Sequence, residues 1–276
     1  MAKKWNDSSK QVLRPFIVKS ERGKPAAGAM FMPAETCYCV QEALKQGSIN
    51  LQTKLLIIDR DRHTLSLAYH KLTEMGFDQD SIYMYCGNLQ DSGISEYKNA
   101  SGESYKGMIE FIYLDTCGEL TQSMYRFISG IYHYKQVCKG CTISFTFSNA
   151  ERASGEFLWG LAGKYTKKNN NAFSNKVDND VNRFVDLTQE RKNNTVYFAD
   201  REPVYYAGKR YYTGLRSSII NYAILKIIGK THKLVVGRAY KEQGISVPMF
   251  TARYEPKTCN IPRNAYKKVP MNLGYN

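Results

Sequence analysis

The chain of 276 residues is long enough to bury a sizeable core, and its 43% hydrophobic and 23% charged content is ordinary for a globular protein. No run approaches 18 uninterrupted apolar residues and the basic N-terminus lacks an apolar core segment, so we expect neither a membrane-spanning helix nor a secretory signal. A formal net charge of +14 points instead to anionic partners.

The first part of the chain alternates helical and strand-like patterns after an irregular start. Residues 1–30 are basic and contain the breakers Gly23, Pro25 and Gly28, so they predict an irregular N-terminal segment. Further along, apolar residues recur at helical spacing or in short continuous runs, and a glycine follows each helix. The predicted elements are a helix over 35–46, a strand over 54–59, a helix over 63–75 and a strand over 81–86.

The same alternation continues beyond a polar loop. The loop covers residues 90–107 and leads into a strongly apolar strand over 109–115. The next predicted elements are a helix over 121–137, a strand over 141–148, a flexible segment over 163–175 and a helix over 177–191. Alternation of this kind predicts an α/β core over residues 31–191, with a mainly parallel sheet covered by helices on both faces.

Most of the positive charge lies in the last third of the chain. Residues 192–276 hold 15 Lys or Arg and 4 Asp or Glu, whereas residues 1–191 hold 24 and 21. This third also carries 10 of the 21 tyrosines and predicts a β-rich, antiparallel extension packed on the core. Its predicted strands cover 195–199, 204–207, 210–213, 233–240 and 247–254, and 217–228 is ambiguous between helix and strand.

Basic residues interleaved with aromatic ones suit a phosphate backbone with bases available to stack. A hairpin over 205–212 brings several of them together, and the residues that we expect to hold DNA or RNA are Lys209, Arg210, Tyr211 and Arg216. A generic basic surface over Tyr-rich β-structure is the plainer explanation of the same pattern. An acidic protein or a membrane surface is a further alternative.

The cysteines favour a reducing, cytoplasmic setting. There are seven of them, an odd number, and they lie inside or beside predicted elements. Cys138 and Cys141 have CxxC spacing, but no second pair follows at a spacing that zinc would need, and the four histidines form no ligand pattern. Buried, reduced thiols are therefore favoured over metal binding.

Three strands end in polar residues suited to a ligand site. Asp59 ends the strand over 54–59 and heads a helix, so its carboxylate could accept the hydroxyls of a ribose, or Asp59 or Asp61 could simply cap that helix. Gly87 and Asn88 could read an adenine edge or form an ordinary turn. Asp115 leaves the most apolar strand through a glycine turn, a position that suits a catalytic or substrate-orienting group.

The thiol in that turn has two interpretations. Cys117 follows Asp115 closely, so it could act as a nucleophile, although a buried, inert thiol is the simpler interpretation. The residues at 148–152 follow the next strand and lie at the same rim, by which we mean the edge of the sheet formed by the carboxyl ends of its parallel strands. They add little by themselves because polar residues follow almost every strand.

The order of elements and the strand-end residues together resemble a class I, S-adenosylmethionine-dependent methyltransferase over about residues 30–255. The resemblance implies a Rossmann-like fold in which Asp59 holds the ribose of the cofactor, Asn88 contacts its adenine and Asp115 occupies the catalytic turn. The antiparallel strands near the C-terminus would correspond to the closing hairpin of the family, enlarged. The Tyr- and Lys-rich style of the chain is also similar to that of viral proteins.

Two regions depart from the pattern of this family. Its first strand normally ends in a glycine-rich turn, but residues 28–37 contain no GxG, so Glu35 or the turn over 33–36 would have to replace it. The run Asp115-Thr116-Cys117-Gly118 matches neither the Asn/Asp-Pro-Pro-aromatic motif of amino-methylating enzymes nor the proline–cysteine motif of cytosine C5 enzymes.

Three hypotheses follow from these observations. The first is a divergent S-adenosylmethionine-dependent methyltransferase acting on DNA or RNA, with Glu35, Asp59 and Asn88 holding the cofactor and Asp115 orienting the acceptor. The second is a non-catalytic nucleic-acid-binding protein on the same scaffold. The third is a different nucleotide-using α/β enzyme. None of them calls for a membrane partner, and the sequence leaves the oligomeric state open.

Overall fold

The computed structural model describes residues 8–116, 118–133, 137–148, 157, 220–241 and 248–259. Seven strands form one sheet in the order β3-β2-β1-β4-β5-β7-β6. The strands are β1 (Gly28–Phe31), β2 (Lys54–Asp59), β3 (Ile82–Cys86), β4 (Ile109–Asp115), β5 (Val137–Ser148), β6 (His232–Lys241) and β7 (Pro248–Pro256). The helices are α1 (Ser8–Ile17), α2 (Tyr38–Lys45), α3 (Arg62–Glu74), α4 (Gln122–His133) and α5, which covers residues 220–228.

The strands of the sheet are parallel except for β7, which comes from the C-terminal part of the chain. β1 pairs in parallel with both β2 and β4, and β2–β3 and β4–β5 are also parallel. β7 inserts between β5 and β6 and is antiparallel to both. The chain thus builds outward from β1 to β3 and then returns to build the other side from β4. This reversal places a topological switch point between β1 and β4, where sheets of this type bind ligands.

Alternate residues of each central strand face opposite layers of helices. One cluster of buried side chains contains residues of α1, α2 and α3, and the other contains residues of α4 and α5. In β2, Leu55 and Ile57 belong to the first cluster and Leu56 and Ile58 to the second. Both faces of the sheet are therefore buried, which explains why its strands read as continuous apolar runs.

The predicted fold class is confirmed. The architecture is a Rossmann-like α/β sheet, mainly parallel, with helices on both faces and an antiparallel strand near the C-terminus. The predicted bounds of β2 and β4 match the structure, and α5 resolves the ambiguous segment over 217–228 as helical from residue 220. The predicted strands over 233–240 and 247–254 are β6 and β7, and they extend the same sheet.

The irregular N-terminal segment is a wrong prediction over most of its described part. Helix α1 packs Leu13 and Ile17 into the core, and β1 is the centre of the sheet. The sequence suggested that Gly28 breaks regular structure, yet it is buried in β1. Only glycine fits there, because Tyr105 occupies the space that a Cβ would need. A strand of four residues is also too short to show a period.

Three further details differ from the sequence predictions. Helix α2 begins at Tyr38, so residues 35–37 form a turn in place of its first part. Helix α4 ends at His133 and Val137 already belongs to β5. Cys86 is exposed, whereas Cys37, Cys39 and Cys141 are buried as expected.

Several predicted segments lie outside the described residues. They are the flexible segment over 163–175, the helix over 177–191 and the strands over 195–199, 204–207 and 210–213. Among the described residues no helix is both long and apolar enough to cross a bilayer.

Candidate functional site

The carboxyl end of β1 forms a notch in the sheet. Its last residue, Phe31, pairs with Ile57 on one side and with Tyr113 on the other. β2 and β4 each run two residues further, to Asp59 and Asp115. Since neighbouring strands lie about 4.8 Å apart, the two aspartates flank the notch at the same level with backbones about 10 Å apart. The notch coincides with the switch point.

The turn that leaves the notch holds two residues in an unusual backbone conformation. Ala34 has φ 49° and Cys37 has φ 53°, in the left-handed region that favours glycine. Each costs about 1–2 kcal/mol relative to an ordinary conformation. This turn lies where the glycine-rich turn was missing from the sequence. The chain therefore makes a glycine-like turn without glycine.

The thiol of Cys37 connects this turn to helix α3. It is fully buried, and its Sγ lies 3.7 Å from the carbonyl oxygen of Ala34 and 3.6 Å from that of Ala68 in α3, so its one S–H is shared between these two acceptors. Burial raises the pKa of Cys37 to about 12, so the group remains a protonated donor. Its own carbonyl accepts from the amides of Val40 and Gln41, both at 3.0 Å, and so starts helix α2.

Helix α2 and Glu35 complete this side of the rim. The N-terminal end of α2 lies next to the turn, and its helix dipole favours a negatively charged group there. Glu35 is exposed on the turn between the two left-handed residues. This side of the rim thus offers a helix N-terminus and one carboxylate to a ligand.

Asp61, and not Asp59, caps helix α3. Oδ1 of Asp59 accepts the amide of Asp61 at 2.9 Å. The carboxylate of Asp61 caps α3 by accepting from the amides of His63 and Thr64 and from the hydroxyl of Thr64. The hydroxyl of Thr64 and these two amides lower the pKa of Asp61. Of the two interpretations that the sequence left open, capping belongs to Asp61, and Asp59 keeps a carboxylate at the strand end.

Asn88 follows β3, next to Asp59 across the rim. The amide of Gly87 donates to the carbonyl of Asp59 at 2.9 Å, which joins the two strand ends. Nδ2 of Asn88 donates to Oδ2 of Asp91 at 2.9 Å. This contact orients the side-chain amide and leaves Oδ1 of Asn88 as a hydrogen-bond acceptor.

Asp115 lies half-buried on the opposite side of the notch. The hydroxyl of Tyr113, two residues earlier on the same face of β4, donates to its Oδ2 at 3.4 Å. The following turn is tied to β5, because Thr116 Oγ1 donates to the carbonyl of Thr146 at 2.9 Å and the amide of Ser148 donates to Gly118 at 2.8 Å. These contacts hold the catalytic candidate at the end of a rigid pair of strands.

The structure brings together the four rim residues predicted from the sequence. Asp59 and Asp115 end β2 and β4, Asn88 lies two residues beyond the end of β3, and Glu35 lies on the turn after β1. Their roles remain predictions. The nucleic-acid candidates Lys209, Arg210, Tyr211 and Arg216 lie outside the described residues, as does Cys117.

Two features of the candidate site were not predicted from the sequence. Nothing in the residue types announces that Ala34 and Cys37 adopt positive φ, because a glycine is the usual signal for that conformation. The contact from Tyr113 to Asp115 could have been suspected from strand alternation, since residues two apart share a face.

The fold and the rim define a Rossmann-like α/β protein with a candidate ligand site at its switch point. No protein-family model and no curated protein sequence matches the chain. Among solved structures it is similar to the N-methyltransferase NodS from Bradyrhizobium japonicum, with 10% identity, 90% of this chain and 93% of that chain covered, and a TM-score of 0.43.

Two further solved structures are similar over about nine tenths of this chain. TYW2 from P. horikoshii, solved with MeSAdo, has 10% identity over 89% of this chain and 61% of that chain, with a TM-score of 0.42. TrmN from Thermus thermophilus has 9% identity over 90% of this chain and 48% of that chain, with a TM-score of 0.43. Likeness at this level identifies neither a substrate nor a reaction.

Proposed function

We propose that this protein is an S-adenosylmethionine-dependent methyltransferase that acts on DNA or RNA. The observation that carries the proposal is the position of Asp59. It ends the strand next to the switch point, its carboxylate is not used to cap α3, and it flanks a notch closed by a left-handed turn. A ribose binds to an acidic residue in this position in dinucleotide folds.

The residues of the rim fit the chemistry of the cofactor. The carboxylate of Asp59 can accept hydrogen bonds from ribose hydroxyls, and Oδ1 of Asn88 can accept one from an exocyclic amino group. The N-terminal end of α2, next to the turn over 33–37, suits a carboxylate through the helix dipole. Glu35 on the same turn suits an ammonium group. When bound, the cofactor supplies an electrophilic methyl carbon, whose bond to sulfur breaks as the acceptor atom bonds to it.

Asp115 is the residue that we assign to the acceptor. Its carboxylate lies across the notch from Asp59 and can accept a hydrogen bond from an N–H or O–H group of the acceptor. This contact orients the acceptor and provides a place for its proton after transfer. Methyl transfer depends mainly on alignment, so a single positioned carboxylate is sufficient when the acceptor is a good nucleophile.

The charge distribution supports a nucleic-acid acceptor. Residues 192–276 carry 15 basic and only 4 acidic residues, together with 10 tyrosines. Such a segment neutralises phosphates and offers rings on which exposed bases stack. Lys209, Arg210, Tyr211 and Arg216 are the residues assigned to this role.

Calorimetry with S-adenosylmethionine and its demethylated product tests the cofactor site. We expect the wild-type protein to bind both, and Asp59→Ala to bind them at least about tenfold more weakly because the ribose hydroxyls lose a charged partner. Absence of heat and of any thermal shift at millimolar ligand would overturn the enzyme hypothesis. Oligonucleotide binding in that case would favour the non-catalytic alternative.

A labelled-methyl assay with separate RNA, DNA and protein acceptors tests the substrate class. The triple variant Lys209→Ala, Arg210→Ala, Arg216→Ala should bind oligonucleotides more weakly and show a shallower salt dependence. The matched control removes the same charge elsewhere, at the exposed residues Lys45, Lys54 and Lys106, and should behave like the wild type. Labelling of protein alone, or affinity that hardly changes with salt, would count against a nucleic-acid acceptor.

A further inference from the structure

Three pieces of the chain meet at the edge of the sheet opposite the rim. They are the start of β5, the turn between α5 and β6, and the end of β7. The amide of Lys257, just after β7, donates to the carbonyl of Thr231 at 2.8 Å. The ammonium group of Lys233 on β6 donates to the carbonyl of Cys259 at 3.1 Å. The turn before β6 and the end of β7 are therefore bonded to each other.

A bulge at the start of β5 brings a further lysine to this edge. The pairing of β4 with β5 skips residues 138–141, so four residues of β5 stand opposite Glu110 alone. Lys139 lies in this bulge and is exposed. Nε2 of His232 on β6 lies 2.8 Å from the carbonyl oxygen of Cys141, and this contact ties the bulge to the other two pieces.

Four lysines lie on these three pieces, and no acidic residue does. The pieces cover residues 137–141, 229–233 and 256–259 and contain no Asp or Glu. We call the four residues the lysine edge: Lys139, Lys230, Lys233 and Lys257. The third of them is half-buried and the others are exposed. Since neighbouring strands lie about 4.8 Å apart, β5, β7 and β6 spread these lysines over about 10 Å, the length of about three base pairs of a duplex.

Carboxylates close to the lysine edge are engaged with arginines or buried. Oε2 of Glu110, opposite the bulge, is 2.9 Å from Nη2 of Arg22. Oε1 of Glu21 is 3.3 Å from Nη2 of Arg253, and Glu255 on β7 is fully buried. Among the described residues, no carboxylate forms an ion pair with a lysine of the lysine edge. The positive charge of these lysines is therefore available to a partner molecule.

We propose that the lysine edge binds the phosphate backbone of a double-stranded nucleic acid, at a site separate from the rim. This inference rests on the nucleic-acid part of the proposed function and adds to it a surface and a form of the polymer. Lys139 precedes Thr146 by seven residues of β5, and Thr146 pairs with Asp115, so about 20 Å separates the lysine edge from the rim. Phosphates held there anchor the polymer and take no part in methyl transfer.

The residue types of the lysine edge favour phosphate over other anionic partners. Lysine is a common phosphate ligand, whereas it is depleted in protein–protein interfaces. The three pieces contain no Phe, Trp or Tyr, so they offer neither an aromatic anchor to a bilayer nor a ring on which a base can stack. Contacts to the backbone alone are independent of sequence, and a duplex, with one charge per about 1.7 Å of its axis, satisfies them better than a single strand.

Titration of DNA and RNA duplexes over a salt series tests this site. The triple variant Lys139→Ala, Lys230→Ala, Lys257→Ala should bind DNA duplexes at least about tenfold more weakly at low salt. The slope of log K against log salt should become shallower by about 2–3, since each phosphate contact contributes about 0.9. The loss should be the same for unrelated sequences. Each single variant should change the slope by about 0.9, which covers the case in which the triple variant does not fold.

Two matched variants control for charge and for position. Replacing the same three lysines with Arg keeps the charge and should keep the salt slope of the wild type. The triple variant Lys45→Ala, Lys54→Ala, Lys106→Ala removes three exposed lysines from other parts of the surface and should also behave like the wild type.

The outcomes separate the lysine edge from the proposed function. An unchanged slope in the first triple variant, correctly folded by its melting curve, would refute the lysine edge and leave the cofactor site untouched. A loss confined to single strands, or tighter binding of the wild type to anionic phospholipid vesicles or to polyglutamate than to duplexes, would refute it as well. If the wild type binds duplexes through these lysines but does not bind S-adenosylmethionine, the proposed function fails and the lysine edge stands.

Discussion

The backbone amide of Asp61 donates to Oδ1 of Asp59 at 2.9 Å, and the Asp61 carboxylate then caps helix α3. Two aspartates two residues apart therefore perform different tasks. Asp61 satisfies the first amides of the helix, and Asp59 keeps its carboxylate at the rim of the sheet. Stability and ligand affinity should respond to different members of the pair.

Replacing each aspartate in turn separates capping from binding. Asp61→Ala should lower the free energy of unfolding by about 1 kcal/mol, the usual cost of losing a cap. Asp59→Ala should lower it less and should abolish most of the affinity for S-adenosylhomocysteine. Urea unfolding and calorimetry on both variants give the two readouts. If Asp61→Ala lost ligand affinity as strongly as Asp59→Ala while remaining folded, the division of tasks would be wrong.

The parts of the fold that the sequence predicted are those with a continuous apolar signal. β2 and β4 are buried on both faces by helices, so residues 55–58 and 111–114 form unbroken apolar runs, and the bounds of both strands were predicted. β1 is buried to the same degree but spans only four residues and starts with Gly28. Its position comes from pairing with two long neighbours, which no local pattern records.

The candidate site was predictable where polarity changes abruptly. Asp59 and Asp115 stand out because a charged residue ends an apolar run, and parallel strands bring such ends to one edge. The turn over 33–37 was not predictable, because no glycine marks its positive φ angles and its contact with α3, through the thiol of Cys37, is distant in sequence. Tertiary contacts there override the preference of alanine for negative φ.

Ala34→Gly tests whether this turn stores strain. Glycine adopts φ 49° without steric cost, so the substitution should leave the free energy of unfolding unchanged or raise it by up to about 1 kcal/mol. The matched control is Ala43→Gly within helix α2, which should cost at least about 1 kcal/mol. Both values come from urea unfolding. Equal destabilisation at the two positions would show that the turn at Ala34 is not strained.

Gly28→Ala tests the close packing at the centre of the sheet. A Cβ there would overlap the hydroxyl of Tyr105 and lie 2.5 Å from the carbonyl oxygen of Met108. We expect a loss of about 1–3 kcal/mol, because the backbone contact cannot be relieved by a change of rotamer. Gly140→Ala in β5, whose nearest contact would be 3.9 Å away, is the control and should change stability by less than about 0.5 kcal/mol. Equal unfolding midpoints would contradict the prediction.

A buried carboxyl group at the other end of the sheet should make stability depend on pH. Glu255 on β7 is fully buried, and its two oxygens accept from the hydroxyl of Thr142, at 2.8 Å, and from the amide of Glu21, at 3.2 Å. Nε of Arg253 lies 3.6 Å away. Burial outweighs these contacts and raises the pKa of Glu255 from 4.5 to about 7.

The sign of the pH dependence follows from that shift. Between pH 4.5 and about 7 the folded protein holds a proton on Glu255 that the unfolded chain has lost. Its contribution to stability is therefore complete below pH 4.5 and disappears as the pH rises through about 7, a change on the order of 3 kcal/mol. Glu255→Gln, which is neutral at every pH, should remove this slope from urea unfolding measured across the window. Glu103→Gln, at an exposed position, should keep it, and a slope unchanged in Glu255→Gln would show that another group is responsible.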